Sequence, residues 1–162
     1  MSFRITGLSP APFRAMFSLD DAQLAALGAQ RLFADDNSGY PCRVSLAHAA
    51  PGEELILMSF PHQAAHSPYR AAGPIYARKS ATVAFDALNT VPEPVRVRLL
   101  SVRAYDAADM IVDAEVVDGG EIEALIERFF ARQDVAYLHI HYARRGCYAC
   151  RVDRASFDPA AK

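Results

Sequence analysis

Residues 139–150 read His-Ile-His-Tyr-Ala-Arg-Arg-Gly-Cys-Tyr-Ala-Cys and hold two of the chain's five histidines and two of its three cysteines. Such a set suggests a metal held by imidazole and thiolate, or a reactive thiol. If the segment is a two-stranded hairpin, alternation divides it between two faces. Leu138, Ile140 and Tyr142 share one face, and Tyr137, His139 and His141 share the other. Pairing Ala143 with Cys147 around a three-residue turn adds Tyr148, Cys150 and Val152 to the apolar face. It adds Cys147, Ala149, Arg151 and Asp153 to the histidine face, whereas a one-residue slip would mix polar with apolar. Cys147 and Cys150 then point to opposite sides, so their spacing makes neither a thioredoxin-type pair nor half of a zinc ribbon. Cys150 is expected in the core. Cys147 shares a face with His141 and lies near Arg144 and Arg145, which makes it the candidate nucleophile, although no third group can be placed to orient it.

His139 and His141, two apart on a strand, project in parallel and could both reach one metal ion, with His62 and His66 available to complete a ligand set. Arg144 and Arg145 oppose a divalent cation there, so no metal is favoured and no cofactor is predicted. Ordinary hydrogen bonds on a half-exposed sheet face are the alternative. A different use of the same face is anion binding. His139, His141, Arg145 and Arg151 offer forked and planar donors, and Arg43, Tyr69, Arg70 and Arg78 lie in a proline-marked stretch upstream. This reading expects a concave polar pocket at His139.

The elements that must position these residues follow from local patterning. A short strand is expected near residues 3–7. A short helix should start at Ser18, which would accept from the Asp21 N–H, use Leu24 and Leu27 as its apolar stripe and stop at Gly28. Residues 30–34 suggest a strand and 35–39 a turn. Between 40 and 79, five of the ten prolines separate apolar runs at 42–46, 54–60 and 75–79, which suits edge strands and ordered loops. Residues 62–73 read as a long loop, a frequent place for function. Residues 98–105 and 111–117 alternate as a hairpin that sets Arg103 against Asp113, Leu100 against Val116 and Val102 against Ala114. Asp118 and Glu121 resemble a capping box before the main helix at about 120–132, whose stripe is Ile122, Leu125, Ile126, Phe129 and Phe130. Strands at 135–142 and 147–153 follow. The expected fold is a single α+β domain, 1–162, with a mostly antiparallel sheet. The strand–helix–strand crossover would make one pairing parallel if its strands are neighbours.

At 162 residues and 52% hydrophobic, the chain can bury a full core without disulfide or metal. A net charge of −2 argues against a nucleic-acid partner that relies on bulk charge. That near-neutral total conceals an acidic stretch, with nine acids and two arginines over 106–134, followed by a basic C-terminal one. The arginines could therefore serve only to pair with that acidic half. No apolar run suits a secretory signal or a membrane span, so the expectation is a cytoplasmic protein with reduced thiols and no membrane partner.

The stretches RITGL at 4–8, PCRVSL at 41–46, PGEE at 51–54, HSPYRAAGPIYAR at 66–78, RLLSVRAYD at 98–106 and HIHYARRGCYACRVDR at 139–154 together resemble a bacterial family catalogued as domain of unknown function 1203. The resemblance implies a small single-domain bacterial protein and brings no activity, substrate or catalytic residue. In the family pattern position 145 is often proline and position 150 often alanine, which implies that no Cys-x-x-Cys pair is required. Three readings stand: a small-molecule-binding domain, enzymatic or not, recognising an anionic group with His139, His141, Arg145, Tyr69 and Arg70; a metal-dependent enzyme using His139 and His141 with His62 or His66; and a non-catalytic interaction module, for instance a homodimer.

Overall fold

In a computed structural model, residues 2–155 of the chain are described, so the ends of the expected 1–162 domain lie outside the described residues. The elements in chain order are β1 (Phe3–Thr6), α1 (Ala11–Arg14), α2 (Asp21–Ala26), β2 (Gln30–Phe33), β3 (Glu54–Gln63), β4 (Ala71–Arg78), β5 (Asp86–Leu88), α3 (Glu93–Arg96), β6 (Leu99–Tyr105), β7 (Ile111–Asp118), α4 (Ile122–Phe130), β8 (Tyr137–Tyr142) and β9 (Tyr148–Arg154). Short 3₁₀ turns at Ala15–Ser18 and Gly119–Glu121 follow α1 and precede α4. The strands form a single α+β domain with two antiparallel sheets, of order β5-β1-β9-β8-β6-β7 and β2-β3-β4. No helix among the described residues is long and apolar enough to cross a membrane.

The expected stripe of α4 is buried in full and packs with Leu100, Val102, Leu138, Ile140, Cys150 and Val152 from one face of the large sheet. A second apolar cluster joins Phe13, Met16, Leu24 and Cys42 to Ile56, Ile75 and Ala77 of β3 and β4. The far end of the β3–β4 hairpin reaches the opposite face of the large sheet, where the Gln63 amide donates to the Tyr137 hydroxyl at 2.7 Å. The large sheet is therefore covered on both sides, by α4 on one and by the small sheet's hairpin on the other.

Several local expectations are corrected. Asp20, not Ser18, caps α2: its carboxylate accepts from the Gln23 N–H while the Gln23 side chain accepts from the Asp20 N–H, a complete capping box. Leu27 of the expected stripe is 63% exposed. The run 42–46 forms no strand and is tied in by isolated bridges at Pro41–His48 and Cys42–Tyr76. Asp118 does cap, but it accepts from the Gly120 N–H at the 3₁₀ turn and Glu121 does not reciprocate. β7 and β8 are parallel in direction yet separated by β6, so no pairing within the sheets is parallel. The long loop shrinks to residues 64–70, because β3 continues through His62 to Gln63.

Three register irregularities interrupt the sheets, and two of them change an expected register. In β6–β7, Tyr105 pairs with Ile111 as the alternation predicts. Val112 is then an extra residue, which leaves Arg103 opposite Ala114 instead of Asp113, and Leu100 opposite Val117. In β8–β9, His139 faces Arg151 and Ile140 faces Cys150 as expected, but Ala149 is extra and His141 pairs with Tyr148. The turn consequently closes one residue earlier, with the Tyr142 N–H donating to the Cys147 carbonyl and Gly146 at φ +74°. In β3–β4 the register shifts between Phe60 and Gln63. Pro61 sits there, and a proline without an N–H is tolerated in a sheet at such an irregularity.

Candidate functional site

The irregularities in β3–β4 and β8–β9 adjoin the same small volume. β8 supplies His139 and His141 by strict alternation, and the irregular end of β3 supplies His62. One nitrogen from each of these three rings lies within 4.8 Å of the other two. Their ring centroids are 5.1 Å apart for His62 and His141, 6.3 Å for His62 and His139, and 6.4 Å for His139 and His141. His139 and His141 are 2% and 1% exposed, and His62 is half-buried. The anticipated half-exposed, concave face is thus a covered one. Surface clefts open elsewhere, among them one beside Phe13 and Arg14, one beside Gln30 and Met58, and one between β7 and α4.

The hydrogen bonding of the rings is incomplete. His141 Nδ1 lies 3.0 Å from the Gly146 carbonyl oxygen. That oxygen can only accept, so Nδ1 carries the proton and Nε2 presents a lone pair. His141 Nε2, His62 Nδ1 and His139 Nδ1 are all buried with no hydrogen-bond partner. An orphaned buried polar atom costs roughly 1–3 kcal/mol, so three in one place call for a ligand. His48 provides the contrast: its Nδ1 donates to Glu93 at 2.7 Å and its Nε2 accepts from Arg98 at 2.8 Å, so both nitrogens are engaged.

Burial holds all three imidazoles neutral. It lowers the His139 pKa to about 3, with neighbouring His141, Arg151, His62 and Arg103 acting in the same direction. Burial likewise lowers His141 to about 4 against the opposing Gly146 hydrogen bond, and it lowers His62, helped by Arg103. Neutral imidazole is the form that ligates a metal.

Aromatic rings wall the cluster. Tyr148 stacks on His62 with centroids 5.0 Å apart and planes 5° from parallel, and meets His139 and His141 edge-on. Alternation alone puts Tyr148 on the apolar face; the Ala149 bulge turns it to the histidines, and Ala149 joins the core instead. Tyr105 and Tyr137 stack on each other and flank His139. The Tyr137 hydroxyl donates to Asp109 at 2.6 Å and accepts from Gln63, and burial with the Asp109 contact pushes its pKa up to about 12. The Arg151 guanidinium lies 3.8 Å over the Tyr137 ring and pairs with Asp153.

The other anticipated residues lie around this centre. His66 and Arg70 are exposed in the 64–70 loop, outside the three-nitrogen group. Tyr69 in the same loop is 38% exposed and meets the Tyr105 ring edge-on. Arg145 is exposed in the β8–β9 turn. The Cys147 thiol contacts the Arg145 carbonyl at 3.8 Å, and Cys150 is buried in the main core with its pKa pushed up to about 12 by desolvation. All three cysteines are free. Arg43 is buried and donates to the Tyr148 and Pro41 carbonyls, and Arg78 binds Ser45 and Glu53, so both have structural partners.

Arg103 was anticipated only as a partner of Asp113, although on β6 it is the direct cross-strand neighbour of His139. Among the described residues it has no carboxylate within ion-pair distance. The polar residue between buried Val102 and Ala104 was the signal in the sequence; the register of β6 against β8 was not. Together the histidines, arginines, Asp109 and tyrosines form a cluster with the donor types that a metal or small ligand needs. Over residues 39–154 the chain matches the family model described as Protein of unknown function (DUF1203). No curated protein and no solved structure matches it.

Proposed function

The chain belongs to the DUF1203 family, and we propose that His62, His139 and His141 hold one divalent transition-metal ion, with a fourth coordination position left for water or a ligand. The observation that carries this reading is the convergence of three imidazoles from two different sheets, one nitrogen of each within 4.8 Å of the other two, on rings that each also carry a buried nitrogen without a hydrogen-bond partner. Three neutral nitrogen donors suit zinc, or a neighbouring first-row ion such as cobalt or nickel, better than calcium or magnesium, which take oxygen ligands. Donation from His141 Nδ1 to the Gly146 carbonyl is the kind of outer contact that fixes a metal ligand's tautomer. A three-histidine set with an open position activates bound water in hydrolytic and hydration chemistry, lowering its pKa to about 7. The metal-dependent reading draws its further support from His62; His66 is not needed.

The test is elemental analysis of protein purified without a histidine tag, followed by zinc titration of the stripped protein. About one equivalent per chain is expected. His62→Ala, His139→Ala and His141→Ala should each weaken binding at least tenfold, whereas His66→Ala should not. Zinc at 100 times its Kd should add about 2.7 kcal/mol to stability. Stripped protein that takes up no metal, or binding unaffected by all three substitutions, would refute the reading.

A further inference from the structure

Arg103 and the charge of the site bear on what fills the fourth position. No carboxylate joins the three-nitrogen group among the described residues. Asp109 is held by the Tyr137 hydroxyl and Asp153 by Arg151, each through its own short contact. A divalent ion on three neutral imidazoles would therefore keep its full charge in a largely desolvated place, and buried charge is costly unless paired. Arg103 adds a further positive charge. It is the cross-strand partner of His139, half-buried, and interacts electrostatically with His62, His139 and His141. A guanidinium with no acid of its own beside a metal site is an anion receptor, because its forked N–H groups match two oxygens of one planar or tetrahedral oxyanion.

Building on the metal reading above, we propose that the site's ligand is a small oxyanion, a carboxylate or phosphate group, with one oxygen on the metal and another on the Arg103 guanidinium. The ligand enters from the half-buried His62 side, since His139 and His141 are closed off. This makes Arg103, in the sheet, the anion-binding arginine, in place of Arg145 and Arg70 on the exposed turns.

Cobalt(II)-loaded protein separates this proposal from the metal reading, since its visible absorption reports on the ion's ligands. Metal stoichiometry is measured first, then the spectrum is titrated with acetate and with inorganic phosphate. At least one of the two should shift the spectrum saturably; the one that does identifies the oxyanion class. Arg103→Gln should weaken that response at least tenfold at unchanged cobalt stoichiometry, Arg103→Lys should weaken it less, and Arg145→Gln should leave it alone. Cobalt bound with neither anion perturbing it, or an equal response in Arg103→Gln, overturns the oxyanion proposal while the metal centre stands. Failure to bind cobalt overturns both. Should Arg103→Gln not fold, an Arg103→Lys protein responding like the parent overturns the assignment to the fork.

Discussion

Two histidines two residues apart were legible in the sequence as a pair on one strand face, and so was the burial of Cys150 on the other. The third histidine could be named only as His62 or His66, because His62 reaches the pair from a separate sheet 77 positions away in the chain, and only tertiary packing brings it there. Each imidazole is neutral because its burial penalises the charged form, and this has a consequence for stability. With folded pKa values of about 3 for His139 and about 4 for His141, against an ordinary value of 6.5, the unfolded chain binds more protons than the folded one between those limits. Stability of the stripped protein is therefore at its plateau above pH 6.5 and falls as the pH drops toward 4. Urea midpoints measured from pH 8 to pH 4 should decline through this window, and His139→Gln should flatten the decline. A midpoint rising on acidification would contradict the neutral, buried state of the rings.

At the scale of elements, alternation located most of the strands and the full apolar stripe of α4, since both patterns are set by burial on one face. What alternation cannot show is a bulge. One extra residue at Val112 and another at Ala149 moved Arg103 away from Asp113 and turned Tyr148 toward the histidines, and the irregularity at Pro61 accompanies His62. Bulges re-aim side chains, and they are common beside functional sites. The join between β7 and α4 was likewise legible only in part. The cap at Asp118 was found, but not the demand for Gly119, where a Cβ would lie 2.2 Å from the Val95 carbonyl oxygen and 2.5 Å from that of Arg96. These are backbone atoms and cannot swing aside. Gly119→Ala should therefore cost about 1–3 kcal/mol, read as a lowered thermal midpoint. Gly120→Ala, whose nearest contact is the Asp118 carboxylate at 3.2 Å, should cost less. Equal effects would place the constraint elsewhere.

Among the described residues the molecule divides its work between two main apolar clusters, a small third one around Leu55, and one polar junction. α4 and the inner face of the large sheet make one core, and the small sheet with α1 and α2 makes the other. The histidines stand where the small sheet's hairpin meets the large sheet's outer face, so an ion there would cross-link the two layers. The chain's length and hydrophobic content imply that it folds without such an ion, which leaves three orphaned nitrogens as the reason to expect one. The most direct test is X-ray absorption at the zinc edge of the zinc-loaded, tag-free protein. Three imidazole nitrogens and one further light atom at about 2.0–2.1 Å are predicted, with one imidazole lost in His62→Ala. A sulfur at about 2.3 Å, or a shell of oxygens without imidazole scattering, would contradict the three-histidine centre.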